Sequence, residues 1–325
     1  MKTLPVNYSD VTQARERIYR YLRPTLLNEW PLLKQRLGFR YLLKHENHQP
    51  TGAFKVRGGI NLVSRLSAEQ KQRGIISCTT GNHGQSLAYA ARQFGVVCTL
   101  VVPEHNNPGK NQSMRALGAE LIEYGRDFDD AKDYCEQLTQ EKGLRYVHSA
   151  NEPMLIAGVG TMADEIFDQE PAPDVALVPI GLGSGICGTA IVAARRNPAT
   201  QVIGVQSAGA PAVAESFKTG KIIQYDSLDT IAEGLATRAP AQMTMDIMHR
   251  LVHDIVLVTN DELKQAMAWL LETTHNLAEP SGAAATAAAW KLREQLKGKT
   301  VVGILSGGNC NLRLLAEVCA GYAAY

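Results

Sequence analysis

The sequence predicts an open α/β fold built on mainly parallel sheets. Strand-like apolar runs alternate with helical patterns along most of the 325 residues, an order typical of α/β proteins. Many of these runs are short and continuously apolar, as expected for strands that are buried on both faces of a parallel sheet. Gly95, Gly118 and Gly143 stand where the intervening helices should end, because glycine readily adopts the left-handed conformation found at a helix C-terminus.

Nine segments fit buried strands. They are residues 40–44, 75–78, 97–102, 120–123, 145–148, 175–180, 202–206, 255–258 and 301–305. Between them, Asn82–Phe94 places several apolar residues on one helical face, and Pro108 suits the first turn of a helix, where its missing N–H costs little. Ligands of open α/β sheets bind at the carboxyl ends of the strands. The segments that follow the strands are therefore the candidate functional site.

The composition argues against several classes of partner. Lys and Arg number 33 and Asp and Glu number 32, and this near-zero balance disfavours nucleic acid or an anionic membrane as the main partner. No segment approaches the ~20 apolar residues that span a bilayer, and no secretory signal follows Met1. The six cysteines form no C-x-x-C pair. We therefore expect a cytoplasmic protein with reduced thiols that acts on a small molecule.

A glycine-rich turn follows the strand at 175–180. Residues 181–188 read Gly-Leu-Gly-Ser-Gly-Ile-Cys-Gly and lead into a helical pattern, so their N–H groups can bind an anion at the positive end of that helix. The turn also fits the dinucleotide fingerprint G-x-G-x-x-G, which requires an acidic residue after the next strand. Gln206 stands there instead, and the turn lies midway along the chain. The sequence favours the single phosphate of a smaller cofactor, with a tight turn that binds no ligand as the alternative.

Two further strand ends carry clustered polar groups. Residues 79–85 read Thr-Thr-Gly-Asn-His-Gly-Gln; their hydroxyls, amide and free helix-start N–H groups suit a carboxylate or a phenolic oxygen. An ordinary helix N-cap would need only one such side chain. Ser306 follows the strand at 301–305 and precedes Gly-Gly-Asn. Its hydroxyl could bond a ring nitrogen or simply cap the next helix.

Lys55 follows the first predicted strand and lies in the predicted first turn of a helix. A cation there opposes the helix dipole. The helix start also lowers the pKa of an amine, which favours a role as nucleophile or base. A lone lysine is usually a surface residue, so it is the neighbouring motifs that make Lys55 a candidate catalytic group.

Four segments in this order resemble the fold-type II pyridoxal 5′-phosphate (PLP) enzymes, the tryptophan synthase β family, and within it the threonine dehydratase and serine racemase branch. The segments are Gln-Pro-Thr-Gly-Ala-Phe-Lys at 49–55, residues 79–85, residues 181–188 and Ser-Gly-Gly-Asn at 306–309. The resemblance extends from about Val11 to Leu314. It implies PLP as the cofactor and two open, mainly parallel α/β domains, the smaller inserted in the larger. We expect a large PLP-binding domain at 1–73 and 151–325 and a small mobile domain at 74–150 that closes over the substrate.

The resemblance also implies roles for individual residues. Lys55 carries the cofactor covalently and takes the substrate Cα proton. The other cofactor-binding residues are Phe54 beside the ring, Asn82 at the ring hydroxyl with Asn151 close by, Gly181, Leu182, Gly183, Ser184 and Gly185 around the phosphate, and Ser306 at the pyridine nitrogen. The substrate carboxylate is held by Thr79, Gly81, Asn82 and His83, mostly through backbone N–H groups. Glu279 lies near the cofactor in relatives, with no role assigned here.

These roles lead to an expected reaction. We expect β-elimination of water from a β-hydroxy amino acid, which gives a 2-oxo acid and ammonia, in a homodimer or homotetramer. Ser306 favours elimination, because a neutral hydroxyl does not keep the pyridine nitrogen protonated as a carboxylate would, and a weaker electron sink favours prompt loss of a β-leaving group. L-Threonine, L-serine, 3-hydroxyaspartate and phenylserine all remain open as substrates.

Amino acid racemisation is the main alternative. It requires a second acid/base group on the opposite face of the Cα, where the racemase branch uses a serine hydroxyl. This sequence has Thr80 at the matching position; it keeps the hydroxyl but adds a methyl group and restricts χ1. A non-catalytic PLP- or metabolite-binding protein, in which Lys55 is chemically idle, is a third hypothesis.

The sequence departs from the family pattern at three places. Gln206 replaces the glutamate that binds a divalent cation in the racemase branch; an amide is a poor ligand for a hard cation, so we expect no tightly bound metal. Leu182 interrupts the usual run of glycines in the phosphate loop, although three glycines remain. The sequence ends soon after residues 306–309. We therefore expect no isoleucine-binding regulatory domain, as in a catabolic form of the enzyme.

Overall fold

Two β-sheets organise residues 4–322, the part of the chain that the computed structural model describes. The strands are β1 (Leu27–Glu29), β2 (Arg40–His45), β3 (Ile75–Cys78), β4 (Cys98–Val102), β5 (Glu120–Glu123), β6 (Arg145–Tyr146), β7 (Val175–Pro179), β8 (Gln201–Ser207), β9 (Asp254–Val258) and β10 (Thr300–Leu305). One sheet has the order β1-β2-β10-β7-β8-β9 and the other β5-β4-β3-β6. All neighbouring strands are parallel except β1, which pairs antiparallel with β2. The predicted open, mainly parallel α/β fold is confirmed.

Helices connect the strands and cover the sheets. They are α1 (Tyr8–Ile18), α2 (Pro31–Leu37), α3 (Lys55–Ser64), α4 (Ala68–Arg73), α5 (Asn82–Phe94), α6 (Pro108–Ala116), α7 (Phe128–Lys142), α8 (Pro153–Gln169), α9 (Ser184–Arg196), α10 (Ala212–Thr219), α11 (Gln242–Leu251), α12 (Asn260–Thr274), α13 (Pro280–Lys291), α14 (Arg293–Leu296) and α15 (Leu312–Tyr322). Short 3₁₀ turns lie at Glu46–His48 and Glu233–Leu235. Within residues 4–322, no helix has both the length and the apolar character needed to cross a membrane.

The predicted strands agree with the observed ones to within one or two residues at each end. The strand that sequence reasoning missed is β1, which is short, half-buried and at the edge of its sheet. Its sequence, Leu-Asn-Glu, carries no apolar run. Pairing with β2 rather than local composition produces this strand.

β7 shows why the central strands are continuously apolar. Val175 and Leu177 pack in the core that also contains residues of α12 and α13, whereas Ala176 and Val178 pack in the core that contains residues of α8 and α9. Every residue of β7 is buried. Full burial of one Val or Leu side chain contributes roughly 1.5–3 kcal/mol, so a strand with two covered faces selects apolar residues at successive positions.

The two sheets are joined through helices α3 and α5. Gly59 of α3 lies against Ser86 of α5, where a Cβ on the glycine would come within 2.6 Å of the Ser86 carbonyl oxygen. Ser86 Oγ donates a hydrogen bond to the Lys55 carbonyl oxygen at 2.6 Å. This close helix contact brings the start of α3, after β2, beside the start of α5, after β3.

A buried ionic cluster also anchors the start of α3. The Arg57 guanidinium donates to the carboxylates of Glu46 and Glu165 at 2.6–2.8 Å. Lys44 Nζ donates to Glu165 Oε2 at 2.6 Å, and all of these side chains are buried. The cluster ties the first turn of α3 to β2 and α8.

Strands β3 to β6 lie within residues 74–150, the range predicted for the small domain. The predicted domain boundaries and the mobility of this part stay predictions. Residues 1–3 and 323–325, which the prediction placed in the large domain, lie outside the described residues.

Candidate active site

Lys55 is the first residue of α3. Its Nζ donates a hydrogen bond to Ser184 Oγ at 3.0 Å and lies 5.2 Å from the centroid of the Phe54 ring. Burial lowers the pKa of the Lys55 amine to about 8, because desolvation disfavours the ammonium form. A lysine with this pKa is partly neutral near neutral pH, and a neutral amine can act as a nucleophile or as a base.

Residues 181–186, which follow β7 and include the first residues of α9, form a cradle of backbone N–H groups. Within residues 4–322, none of these N–H groups has a hydrogen-bond acceptor. Gly183 has a φ of +101°, and a Cβ there would lie 2.9 Å from Thr244 Cβ. A Cβ on Gly181 would lie 2.3 Å from the Gly234 carbonyl oxygen. Glycine is thus required at both positions, and such N–H groups without a protein acceptor at the start of a helix suit a phosphate.

Phe54 lies between the cradle and the segment that follows β10. A Cβ on Gly185 would lie 3.2 Å from Phe54 Cε2, which places the ring against the cradle. The Phe54 N–H donates to the Ser306 carbonyl oxygen at 3.1 Å. The buried Ser306 hydroxyl donates to the Ser281 carbonyl oxygen at 3.3 Å. These contacts bring the carboxyl ends of β2, β7 and β10 together beside Lys55.

The loop between β3 and α5 folds around the Thr79 hydroxyl. Thr79 Oγ1 accepts hydrogen bonds from the N–H groups of Gly81 at 3.1 Å and Gly84 at 3.0 Å. The Gly81 N–H, which the family resemblance assigned to the substrate carboxylate, therefore donates within the loop to Thr79. Over the described residues 4–322, the loop N–H groups without an acceptor are those of Thr80, Asn82 and His83. These are the donors that the loop offers to an anion.

The His83 ring anchors the loop to β3 and is not the group offered to a ligand. The imidazole is buried, and its Nε2 lies 3.1 Å from Ser77 Oγ in β3. Burial, with a smaller contribution from the nearby Lys55 cation, lowers the pKa of His83 to about 3. The imidazole is neutral at physiological pH and fixes the loop on the sheet, which leaves the backbone N–H as the group available to a ligand.

Asn82, which follows β3 in the four-stranded sheet, contacts two residues from the half of the molecule that contains the six-stranded sheet. Its Nδ2 donates to Glu279 Oε1 at 2.5 Å, and its Oδ1 accepts from Asn309 Nδ2 at 2.8 Å. Asn309 Nδ2 also donates to the Thr51 carbonyl oxygen at 2.8 Å. Glu279 is buried, and this burial raises the pKa of its carboxyl group.

Lys110 covers the same loop from α6. Its Nζ donates to Glu233 Oε2 at 2.6 Å and to Glu279 Oε2 at 3.4 Å. A Cβ on Gly81 would lie 2.4 Å from Lys110 Cδ, so the lysine side chain runs across that glycine. Lys110 is thus an ionic contact between the half of the molecule with the four-stranded sheet and the half with the six-stranded sheet.

Sequence reasoning gave no role to Lys110, Glu233 or Asn309. Like Lys55, Lys110 is a lysine in the first turn of a helix, and this signal could have identified it. Asn309 was part of the 306–309 segment but had no assigned role. Asn151 is exposed, and over residues 4–322 its side chain makes no hydrogen bond to another predicted site residue. Its place near the cofactor stays a prediction.

The sequence is similar to known proteins along nearly its whole length. A family model described as "Pyridoxal-phosphate dependent enzyme" matches residues 18–307. The chain is 33% identical over 313 residues to an L-threonine ammonia-lyase of Thermotoga maritima, covering 96% of this chain and 78% of that protein. It is 37% identical over 314 residues to an L-threonine ammonia-lyase of Geobacter sulfurreducens, covering 96% and 77%.

Solved structures share the fold. Maize serine racemase superposes with a TM-score of 0.91 at 28% identity, covering 98% of each chain. The processed form of threonine deaminase isoform 2 from Solanum lycopersicum superposes with a TM-score of 0.90 at 30% identity, covering 98% of this chain and 95% of that one. These similarities confirm the resemblance that the four motifs indicated.

Proposed function

The chain belongs to the family of pyridoxal-phosphate dependent enzymes, and on this premise we propose that it eliminates water from a β-hydroxy amino acid of the threonine or serine type, giving a 2-oxo acid and ammonia. The observation that carries the proposal is the half-buried Lys55 side chain, whose amine is hydrogen-bonded to Ser184 in the cradle. The names of the two ammonia-lyase relatives support the same reaction class.

The residues at the site fit PLP. The N–H groups of 181–186 and the Ser184 hydroxyl would hold the phosphate, and the glycines at 181 and 183 allow the turn to pack against Gly234 and Thr244. Phe54 would lie beside the ring, the Asn82 amide would meet the ring hydroxyl, and Ser306 would meet the pyridine nitrogen. When bound, PLP withdraws electrons from the substrate Cα and stabilises the charge left by its proton.

Lys55 supplies the base. Its pKa of about 8 leaves a neutral fraction near neutral pH, and a neutral Nζ can take the Cα proton. Ser184 Oγ, at 3.0 Å, holds the amine at the edge of the cradle. His83 stays neutral at this pH. Its imidazole therefore adds no positive charge that would lower the pKa of Lys55 further.

Ser306 favours elimination over reactions that need a long-lived carbanion. It is a neutral, buried hydroxyl, and a neutral hydroxyl does not keep a pyridine nitrogen protonated as a carboxylate would. With PLP bound, the weaker electron sink would favour loss of the β-hydroxyl group, which takes up a proton and leaves as water. The free N–H groups of Thr80, Asn82 and His83 would bind the substrate carboxylate at the positive end of α5.

A substrate panel tests the reaction. The PLP-loaded enzyme is incubated with L-threonine, L-serine, 3-hydroxyaspartate and phenylserine, and the released 2-oxo acid and ammonia are measured. We expect equal amounts of the two products. Borohydride reduction followed by mass spectrometry should place the cofactor on Lys55, and a Lys55→Ala variant should release no 2-oxo acid. The absence of any 2-oxo acid across the panel would show that the proposed elimination is wrong.

Racemisation is a second candidate, supported by Thr80 and by the likeness to maize serine racemase. The Thr80 hydroxyl lies in the loop beside the free N–H groups, where it could protonate the second face of the Cα. Chiral chromatography should then show that L-serine is converted to D-serine more slowly than it releases pyruvate. Thr80→Ala should abolish the racemisation and spare elimination. Racemisation faster than elimination would make the protein a racemase.

We also propose a cytoplasmic homodimer or homotetramer in which residues 74–150 move as a small domain. The support is the family resemblance and the position of β3 to β6 within that range. Sedimentation velocity tests the assembly, and small-angle scattering with and without a substrate amino acid tests the motion. A monomer, or a scattering profile that substrate leaves unchanged, would contradict the corresponding part.

A further inference from the structure

Asn82 belongs to α5, beside the four-stranded sheet, but both partners of its amide come from segments of the six-stranded half. Glu279 precedes α13 and Asn309 follows β10. We propose that Asn309 and Glu279 are positioning residues that fix the Asn82 amide in the one orientation in which it can donate a hydrogen bond to the ring oxygen of PLP. The proposal concerns cofactor binding, so it holds whether the reaction is elimination or racemisation.

The orientation of each amide follows from its neighbours. The Thr51 carbonyl oxygen can only accept, so the Asn309 atom at 2.8 Å from it must be the nitrogen. The same nitrogen lies 2.8 Å from Asn82, and the atom that it meets there must accept, which identifies Asn82 Oδ1. Asn82 Nδ2 then faces Glu279 Oε1 at 2.5 Å, a donor against a carboxylate oxygen. A backbone carbonyl thus determines the orientation of the whole chain of hydrogen bonds.

The same hydrogen bonds determine which hydrogen-bonding group of Asn82 remains free for a ligand. A primary amide has two N–H donors, and one of those on Asn82 is used by Glu279 while its oxygen is occupied by Asn309. The remaining N–H is a donor, which suits a phenolate or carbonyl-like oxygen. A flipped amide would present the oxygen to Glu279 Oε1 and an N–H to Asn309 Nδ2, and both contacts would be repulsive.

A cation accompanies Glu279 and favours the carboxylate form that accepts from Asn82, against the burial that raises the pKa of the group. Lys110 Nζ lies 3.4 Å from Glu279 Oε2 and opposes the effect of burial on the carboxylate. Lys110 is itself paired with Glu233 at 2.6 Å. The hydrogen-bond chain therefore crosses between the two halves of the molecule twice, once through Asn82 and once through Lys110. Asn82 is correctly oriented only when the two halves are in contact.

The decisive variant is Asn309→Asp, which keeps the shape of the side chain and removes its donor. The new carboxylate would face the Thr51 carbonyl oxygen and Asn82 Oδ1, so the Asn82 amide should turn and lose its donor toward the ring. We expect the dissociation constant of PLP, measured by fluorescence titration of the apoenzyme, to rise about tenfold or more. The absorption maximum of the bound cofactor should shift, because the ring oxygen loses its partner.

A matched control is Asn311→Asp, two residues away in the same segment. Asn311 is exposed, and its Oδ1 accepts from the Arg313 N–H at 2.8 Å, a role that a carboxylate preserves. This variant should bind PLP with unchanged affinity and spectrum. If the Asn309→Asp apoenzyme loses its near-ultraviolet circular dichroism and therefore its packing, PLP affinity is measured instead in Asn309→Ala, which introduces no charge.

A double-mutant cycle separates positioning from general support of the fold. If Asn309 acts through Asn82, Asn309→Ala should weaken PLP binding in the wild type and have less than a twofold effect in the Asn82→Ala background. Equal losses in both backgrounds would overturn the proposal, since they would show that Asn309 supports the site by another route. Unchanged affinity and an unchanged spectrum in both Asn309 variants would overturn it as well.

Discussion

Lys55 Nζ lies 3.0 Å from Ser184 Oγ, so the amine at the start of α3 and the first residue of α9 share a hydrogen bond. The sequence suggested Ser184 as a phosphate donor, and in the structure its hydroxyl accepts from the lysine while the N–H groups around it stay free within residues 4–322. The contact joins the segment after β2 to the segment after β7. The protonation of Lys55 is therefore linked to the geometry of the cradle.

We predict that the Lys55 amine of the apoenzyme titrates near pH 8, against about 10.4 for an ordinary lysine, because burial penalises the ammonium. The amine is charged below this pH and neutral above it, so the rate of PLP capture should rise up to about pH 8 and then level off. The pKa can be read by ¹³C NMR after reductive methylation, with the Lys55 signal assigned by its loss in Lys55→Arg. A titration midpoint near pH 10 would contradict this.

Ser184→Ala should lower the pKa of Lys55 further. The hydroxyl accepts a hydrogen bond from the amine, which stabilises the ammonium more than the neutral form, so its removal favours the neutral amine. The same NMR titration should move to lower pH. Ser86→Ala is the control, because Ser86 Oγ bonds the Lys55 carbonyl oxygen rather than Nζ, and it should leave the midpoint in place. A Ser184→Ala midpoint at or above the wild-type value would exclude this role.

Within residues 4–322, the strand segments other than β1 could be predicted from the sequence, because buried parallel strands are continuously apolar, and the candidate motifs were then sought in the segments that follow them. Lys55, the cradle and the 79–85 loop were found in this way. The contacts of Asn82 were not, since Glu279 and Asn309 lie far from it in the chain and meet it only through packing of the two sheets. The engagement of Gly81 with Thr79 was also invisible, because it depends on the exact turn of the loop.

Gly183→Ala should weaken both the fold and the cradle. The residue has a φ of +101°, and an added Cβ would lie 2.9 Å from Thr244 Cβ, so strain of roughly 1–2 kcal/mol is expected together with displaced N–H groups. Gly220→Ala is a matched control with a φ of +72° and, among residues 4–322, no atom within 4 Å of an added Cβ. Urea unfolding of both apoenzymes should show destabilisation, whereas only Gly183→Ala should lose PLP affinity. Equal PLP affinity in the two variants would argue against the cradle.

Arg57→Met should strongly destabilise the protein. The guanidinium is the shared partner of Glu46 and Glu165, and its loss leaves buried Glu46 without its ion-pair partner and Glu165 with Lys44 alone, at a cost of about 3–5 kcal/mol. Arg73→Met removes an exposed pair with Glu69 and should cost no more than about 1 kcal/mol. Chemical unfolding of the two apoenzymes gives the comparison. Similar stabilities would show that the buried cluster contributes little beyond a surface pair.

Divalent cations should not be required for activity, and Gln206 gives the reason. Its Oε1 accepts from the Ala214 N–H at 2.9 Å, which fixes the amide, and its buried Nε2 has no hydrogen-bond partner within residues 4–322. A cation at this position would therefore meet N–H donors instead of a carboxylate. EDTA should leave turnover and thermal stability unchanged, and added Mg²⁺ should have no effect. Loss of activity with EDTA and recovery with Mg²⁺ would show the prediction to be wrong.

Gln206→Glu tests the same reasoning from the opposite direction. The new carboxylate would be buried at the end of β8 without a partner cation, so it should lower the apoenzyme's melting temperature. If the position can admit an ion, Mg²⁺ or Ca²⁺ should then recover part of the loss, because the carboxylate is a ligand that the amide is not. Gln201→Glu, at the half-buried start of the same strand, is the control and should show no cation dependence. A cation response in the control equal to that of Gln206→Glu would assign the effect to general charge screening rather than to a site at 206.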